Sequence, residues 1–194
     1  MKQFYYLGII FFFCLSCNDE VVPKPKGYLR LEYPAANYMN TNVDGIPFSF
    51  ESNTLANKIV SKKIISTTES YALNIEYPTL KGTIYLTYKS ISNNQKNLID
   101  FLRDAQNFTQ KHTAKADEIK EKEYINKLNK VYGMFYEVGG NAASQSQFYV
   151  TDSTEHFLTG SLYFYAKPNY DSILPAAKYL EKDIKRIMET VKWK

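Results

Sequence analysis

The sequence predicts an α+β domain, a largely antiparallel sheet carrying two main amphipathic helices. Apolar residues recur with period 2 in several short runs bounded by turn residues, while two longer segments switch to the three-and-four spacing of a helix. The 194 residues also include 17 Tyr and 12 Phe, which favour strands. The order strands, helix, strands, helix, with hairpins in both halves, favours antiparallel pairing with helices on one or both faces.

The chain opens differently. Lys2 precedes an uncharged run over residues 4–15. That run has the length of a signal-peptide apolar region and is too short to span a bilayer, which needs roughly 20 apolar residues. It ends in Cys14-Leu15-Ser16-Cys17, which resembles the bacterial lipobox with Cys14 where Leu is usual. The expectation is cleavage before Cys17, with residues 1–16 as a lipoprotein signal peptide and acyl chains such as palmitate attached at Cys17. Two or more chains anchor firmly where one is marginal.

Cys14 and Cys17 are the only cysteines. The mature chain would keep Cys17 alone, which excludes an internal disulfide, a cysteine metal site and a catalytic thiol in the domain. An exported domain does without disulfides when its core is large enough, and residues 17–194 suffice. Losing Lys2 lowers the formal net charge of +4 by one. Basic residues are scattered apart from Lys24/Lys26 and Lys62/Lys63, so nucleic acid is not an expected partner.

Residues 17–42 read as the lipidated N-terminus and an extended tether, since Pro23-Lys24-Pro25-Lys26-Gly27 is semi-rigid and solvated. Asp19 and Glu20 after Cys17 resemble the short surface-export signals of Bacteroidota lipoproteins. Residues 43–194 then form one domain. Phe48 and Phe50 mark a short strand after Gly45-Ile46-Pro47. Tyr71, Leu73, Ile75 and Tyr77 alternate strictly, as do Ile84, Leu86 and Tyr88, and residues 78–82 supply the turn of that hairpin.

Leu98, Leu102, Ala105, Thr109, His112 and Ala116 keep alternating four- and three-residue steps, and Ile99, Phe101 and Phe108 widen the stripe. This predicts a helix capped by Asn94 or Asn97 and extending towards Tyr124. Tyr132, Met134, Tyr136 and Val138 share one strand face, and Gly139-Gly140-Asn141 ends the run. Residues 147–151 and 156–165 form a second hairpin around Asp152-Ser153-Thr154-Glu155. Residues 168–172 lead into a last helix that buries Ile173, Ala177, Leu180, Ile184, Ile187 and Val191, with Pro175 tolerated near its start. Trp193 is expected to pack back as an end-anchor. The layout resembles the α/β/α sandwich of the PsbP-like fold, and a fold alone carries no function.

Few residues invite chemistry. With two histidines, no multi-histidine metal centre is available, and His112 on the helix stripe reads as a buried, hydrogen-bonded histidine. Asp152, Ser153 and His156 have the types of a hydrolase triad, but they crowd into one turn and no Gly-x-Ser-x-Gly elbow is present. The simpler expectation is a turn in which Asp152 caps backbone amides. No catalytic or metal residue and no cofactor besides the acyl chains is assigned, and the remote enzymatic alternative is a hydrolase at Ser153.

The small residues from Gly139 to Ser144 allow close approach of a backbone or ligand. Gly139, Gly140, Asn141, Ser144, Phe148 and Tyr149 are therefore the candidate interaction edge, against the simpler reading of a bulge or tight connection. Asp152-Ser153-Thr154 and Asp171-Ser172-Ile173 resemble the three-residue O-glycosylation motif of Bacteroidota periplasmic proteins, which makes Ser153 and Ser172 candidate glycan acceptors.

Longer motifs point to a family. Val131-Tyr132-Gly133, Gly139-Gly140 with Ala142-Ala143-Ser144, Gln147-Phe148-Tyr149-Val150-Thr151-Asp152-Ser153, His156-Phe157-Leu158 and Leu162-Tyr163-Phe164 resemble the gliding-motility lipoprotein family GldD of Bacteroidota. So do Pro168-Asn169, Asp171-Ser172, the ending Glu189-Thr190-Val191-Lys192-Trp193 and, upstream, Pro23-Lys24-Pro25-Lys26-Gly27-Tyr28, Leu86-Thr87-Tyr88-Lys89 and Lys111-His112 with Lys115-Ala116.

The resemblance implies a non-enzymatic, lipid-anchored envelope component needed for gliding and linked with type IX secretion. Its implied partners are the membrane and the proteins of those machines. It favours the outer over the inner membrane and leaves the periplasmic or surface face open. The alternative is an envelope module that binds glycan or lipid in an aromatic groove.

Overall fold

The computed structural model describes residues 32–111, 115–165 and 170–194. Cys17, the signal and most of the tether lie outside the described residues, as does His112. No helix among the described residues is long and apolar enough to cross a membrane.

Among the described residues, five strands precede the first helix: β1 (Tyr38–Asn42), β2 (Phe48–Asn53), β3 (Lys58–Ile64), β4 (Ser70–Tyr77) and β5 (Gly82–Ser90). Helix α1 (Gln95–Gln110) follows, then β6 (Ala116–Asn126), β7 (Val131–Gly140), β8 (Ser144–Thr151) and β9 (His156–Phe164). Helix α2 (Tyr170–Thr190) and the short β10 (Lys192–Trp193) end the chain. Seven strands form one sheet in the order β3-β4-β5-β9-β8-β7-β6, and a second sheet runs β1-β2-β10. Every pairing is antiparallel.

Period-2 alternation sorts the large sheet into two faces. Leu73, Ile75 and Tyr77 of β4, Ile84, Leu86 and Tyr88 of β5, and Leu158 and Leu162 of β9 share one core with Phe48, Phe50 and Leu180, Ile184 and Ile187 of α2. Burying each such aliphatic side chain stabilises by roughly 1.5–3 kcal/mol. Phe157, on the opposite face of β9, packs instead with Leu98, Phe101, Leu102 and Ala105 of α1. The molecule is therefore layered: α1, the seven-stranded sheet, then α2 beside the small sheet.

Two aspects of the chain-order reading need correction. Helix α1 stops at Gln110, and Ala116 to Asn126 is strand β6, not a helical extension towards Tyr124. That strand lies at the sheet edge, so one side of its backbone and much of both faces meet water. Its charges hide a period of 2 in which Tyr124 turns to α2, donating to the Glu189 carbonyl at 2.9 Å. Such a charged edge also discourages pairing with another chain. Paired structure also starts before Val43: β1 residue Tyr38 lies opposite Asn53 of β2, within the stretch expected to be tether.

The stripe of α1 is also narrower than expected, because Ile99 is 53 % and Phe108 40 % exposed. On β7, Val131 and Phe135 face the main core, the side opposite the Tyr132–Met134–Tyr136 series. Gly133 of that strand lies against β8 so closely that an added Cβ would sit 1.9 Å from the Tyr149 carbonyl oxygen.

A polar seam fastens α2 to the small sheet. Asp183 is only 1 % exposed; it accepts from the Tyr38 hydroxyl at 2.8 Å and from Asn53 Nδ2 at 2.9 Å. The same Asn53 amide reaches the Tyr179 hydroxyl at 3.1 Å. The buried Tyr77 hydroxyl feels this carboxylate electrostatically but lies outside hydrogen-bonding geometry to it. Burial raises the Asp183 pKa above the usual carboxylate value, and the bonds from Tyr38 and Asn53 only partly offset this. Trp193 does pack back: its ring stacks on His156 at 4.9 Å and its Nε1 donates to the Lys130 carbonyl at 3.2 Å.

Candidate binding cleft

Helix α1 is set down on the sheet by its first turn. Asn94 caps it, its side chain accepting from the Lys96 amide at 2.9 Å, while Asn97 Nδ2 donates to the Ile91 carbonyl at 3.1 Å. Leu98, Phe101, Leu102 and Ala105 then rest on Ile91, Tyr149 and Phe157. Beyond this contact the helix and sheet part, leaving a cleft of about 360 Å³, within the size range of small-ligand sites.

Rings line much of it. Phe101 and Phe108 come from α1, and Tyr136, Tyr149, Phe157 and Tyr163 from three adjacent strands. Tyr149 and Phe157 stack at 5.9 Å with planes 7° apart, and Phe101 meets Phe157 at 5.6 Å and 53°. Tyr136 and Tyr149 lie 6.5 Å apart. Burial pushes the Tyr136 phenol up to about 12, with Tyr149 and Glu121 adding to it. Burial likewise raises Tyr149 and Tyr163. All three therefore present a hydroxyl, not a phenolate, at neutral pH.

Polar groups punctuate the rings. Thr87, Thr159 and Ser161 occupy the same sheet face. At the mouth, Lys89 Nζ sits 4.7 Å from the Phe101 ring centre and 3.7 Å from the Asp104 carboxylate, so its charge is matched. Deeper, Thr109 donates to Gln147 Oε1 at 3.0 Å. Gln147 is 2 % exposed, and its Nε2 has no hydrogen-bond partner.

The candidate interaction edge is not an edge. Gly139 and Gly140 are hydrogen-bonded into β7 beside β6, opposite Glu118 and Ala116. Gly140 has φ +86, and an added Cβ would lie 2.7 Å from the Asp117 amide, so the glycine serves the irregularity where β6 shifts register. Ser144 is fully buried, donating to the Ser146 carbonyl at 3.2 Å. Asn141 is exposed in the connection to β8. Alternation then divides the pair that follows, with Phe148 in the main core and Tyr149 in the cleft.

The Asp152–His156 turn has the capping arrangement expected of it. Asp152 Oδ1 accepts from the amides of Thr154, Glu155 and His156 at 3.0, 2.9 and 2.8 Å. His156 Nδ1 lies 2.8 Å from the Tyr88 hydroxyl, and its ring is stacked on Trp193, so its bonded partner is Tyr88 and not Ser153. Ser153 is exposed at φ 70, and Ser172 is exposed in the first turn of α2.

Lys89, Asp104, Tyr136, Gln147, Thr159 and Ser161 escaped the sequence reading as site residues. The available signal was Gln147, a polar residue set directly before the apolar run Phe148-Tyr149-Val150 of the same strand.

The gliding motility lipoprotein family GldD matches this chain over residues 18–193. The chain belongs to that family. GldD membership identifies it as a gliding-motility lipoprotein and implies membrane anchoring in the cell envelope. Comparison with curated proteins finds no match.

Proposed function

We propose that this GldD-family chain works without catalysis of its own, as an acyl-anchored envelope component that contacts proteins of the gliding apparatus and of the associated type IX secretion machinery. Cys17 is the proposed anchor, with the outer membrane its site. The observation that supports a contact role is the aromatic surface beyond α1. Tyr165 is 67 % exposed and pairs its hydroxyl with Thr83 at 2.8 Å. Beside it, Tyr85 meets Tyr163 edge-on at 5.8 Å. Rings held by hydrogen bonds and neighbours offer large contact area at low entropic cost, the property that enriches Tyr at interfaces.

Co-purification of the intact, lipidated protein from membranes of a gliding bacterium tests this. Motility or secretion subunits should be recovered, and Tyr85→Ser with Tyr165→Ser should reduce that recovery without releasing the chain from the membrane. Recovery of unrelated envelope proteins alone would remove the reading. The intact mass of the same material reports whether Cys17 is acylated and whether Ser153 or Ser172 carries a glycan.

A second reading has one observation in its favour, the cleft under α1. It is concave and gathers several aromatic rings in one place, as a groove for an envelope ligand requires.

A further inference from the structure

The cleft can be read for the chemistry of its occupant. Its most demanding group is the Gln147 amide. Thr109 has one hydroxyl hydrogen, and its neighbours are the Ala105 carbonyl at 3.2 Å and the Gln147 amide at 3.0 Å. Turning the amide over would let Thr109 accept from Nε2, but Oε1 would then lose its partner. Either orientation leaves one amide atom unsatisfied among the described residues, in a side chain that is 98 % buried. Such a group is costly unless something meets it.

The surroundings narrow what that something is. An acyl chain would satisfy the rings but would leave the amide and the hydroxyls of Thr87, Thr159 and Ser161 facing hydrocarbon. Among the described residues that line the cleft the cation is Lys89, which is paired with Asp104, so a phosphate or carboxylate would meet a charge already matched. A neutral saccharide fits both requirements. The C–H face of a pyranose lies flat on an aromatic ring, while its hydroxyls radiate to polar groups around the ring edge. An N-acetyl substituent adds an amide that both donates and accepts, next to a methyl group suited to the rings around it.

We infer that the cleft between α1 and the seven-stranded sheet is a binding site for an uncharged, N-acetylated amino sugar, with Gln147 pairing with the acetamido group and Tyr149 providing a stacking surface. This is the second reading above given a ligand class. It does not depend on any protein partner, so co-purification and sugar binding fail independently.

The test uses the full lipidated chain, purified in a zwitterionic detergent whose headgroup is not a sugar. Calorimetric titration with N,N′-diacetylchitobiose is compared with cellobiose, which replaces the acetamido groups by hydroxyls, and with laurate. The diacetylated disaccharide should bind, with cellobiose weaker by roughly tenfold or more, the discrimination of a site whose buried polar group is left unpaired. Gln147→Leu should erase that preference, and Tyr149→Ala should weaken both sugars, with melting temperatures confirming that each variant is folded. The wild-type comparison needs no variant. Laurate binding without a sugar response, equal binding of the two disaccharides, or no binding at millimolar sugar would each overturn the assignment.

Discussion

Replacing Asp183 with alanine tests the polar seam between α2 and the small sheet. The carboxylate accepts one bond from Tyr38 and one from Asn53. Hydrogen bonds to a charged group contribute about 1.5–3 kcal/mol each. The loss is smaller than their sum, for three reasons. Asn53 keeps the Tyr179 hydroxyl, the half-buried Tyr38 can turn its hydroxyl to water, and the variant no longer buries a charge. A net loss of about 2 kcal/mol at neutral pH follows, or roughly 4–8 °C in Tm for a domain of this size.

The pH dependence is the sharper discriminator. Because burial raises the Asp183 pKa, the folded state holds this proton more tightly than the unfolded chain does. Its contribution is therefore fully present below the ordinary value of 3.8 and is lost as pH rises through the raised value. The difference in unfolding free energy between wild type and Asp183→Ala should be larger at pH 4.5 than at pH 7.5. Urea denaturation of the unlipidated mature chain, followed by circular dichroism at both values, measures it. A difference that grows with pH would mean that hydrogen bonding outweighs desolvation at this carboxylate, and the account of the seam given above would be refuted.

Other substitutions reach different parts of the molecule. Gly133→Ala places a methyl group against the Tyr149 carbonyl, so β7 and β8 must separate locally; a loss of about 3 kcal/mol should appear in thermal unfolding, with faster amide exchange in both strands. His156 should titrate below its ordinary 6.5 in an NMR experiment, since burial outweighs the upward pull of Asp152 and Glu155. Stability from that group is present above pH 6.5 and falls as the pH drops towards its folded value. Cys17→Ala should abolish metabolic labelling with palmitate and move the protein out of the membrane fraction.

What could be read from the sequence depended on how many neighbours a segment has. The β4–β5 hairpin and α2 were legible because each buries a regular face: Leu73, Ile75 and Tyr77 in one, Leu180, Ile184 and Ile187 in the other. Strands β1, β3 and β6 were not, because each borders a sheet edge and pairs on one side alone. Their exposed positions carry polar and charged residues, as in Lys62 and Lys63 of β3, and these dilute the alternation.

The cleft was hidden for a different reason. Lys89, Thr109, Tyr136, Gln147 and Thr159 come from five elements, and only strand register and the placement of α1 bring them together. Family motifs reached further than periodicity because they do not require a segment to declare its own neighbours.

The way the chain joins the domain also sets how it would carry a pull. Residues 32–37 lead into β1, where Tyr33 lies 5.1 Å from the ring of Tyr179 and Tyr38 is bonded to Asp183. With the anchor proposed at Cys17, tension from the membrane would thus fall first on a five-residue strand at the border of the small sheet and on a few contacts to α2. The seven-stranded sheet lies behind that junction, and its cleft opens on the far face. Under load, β1 would act as a mechanical fuse, peeling away and lengthening the leash before the remaining fold is strained.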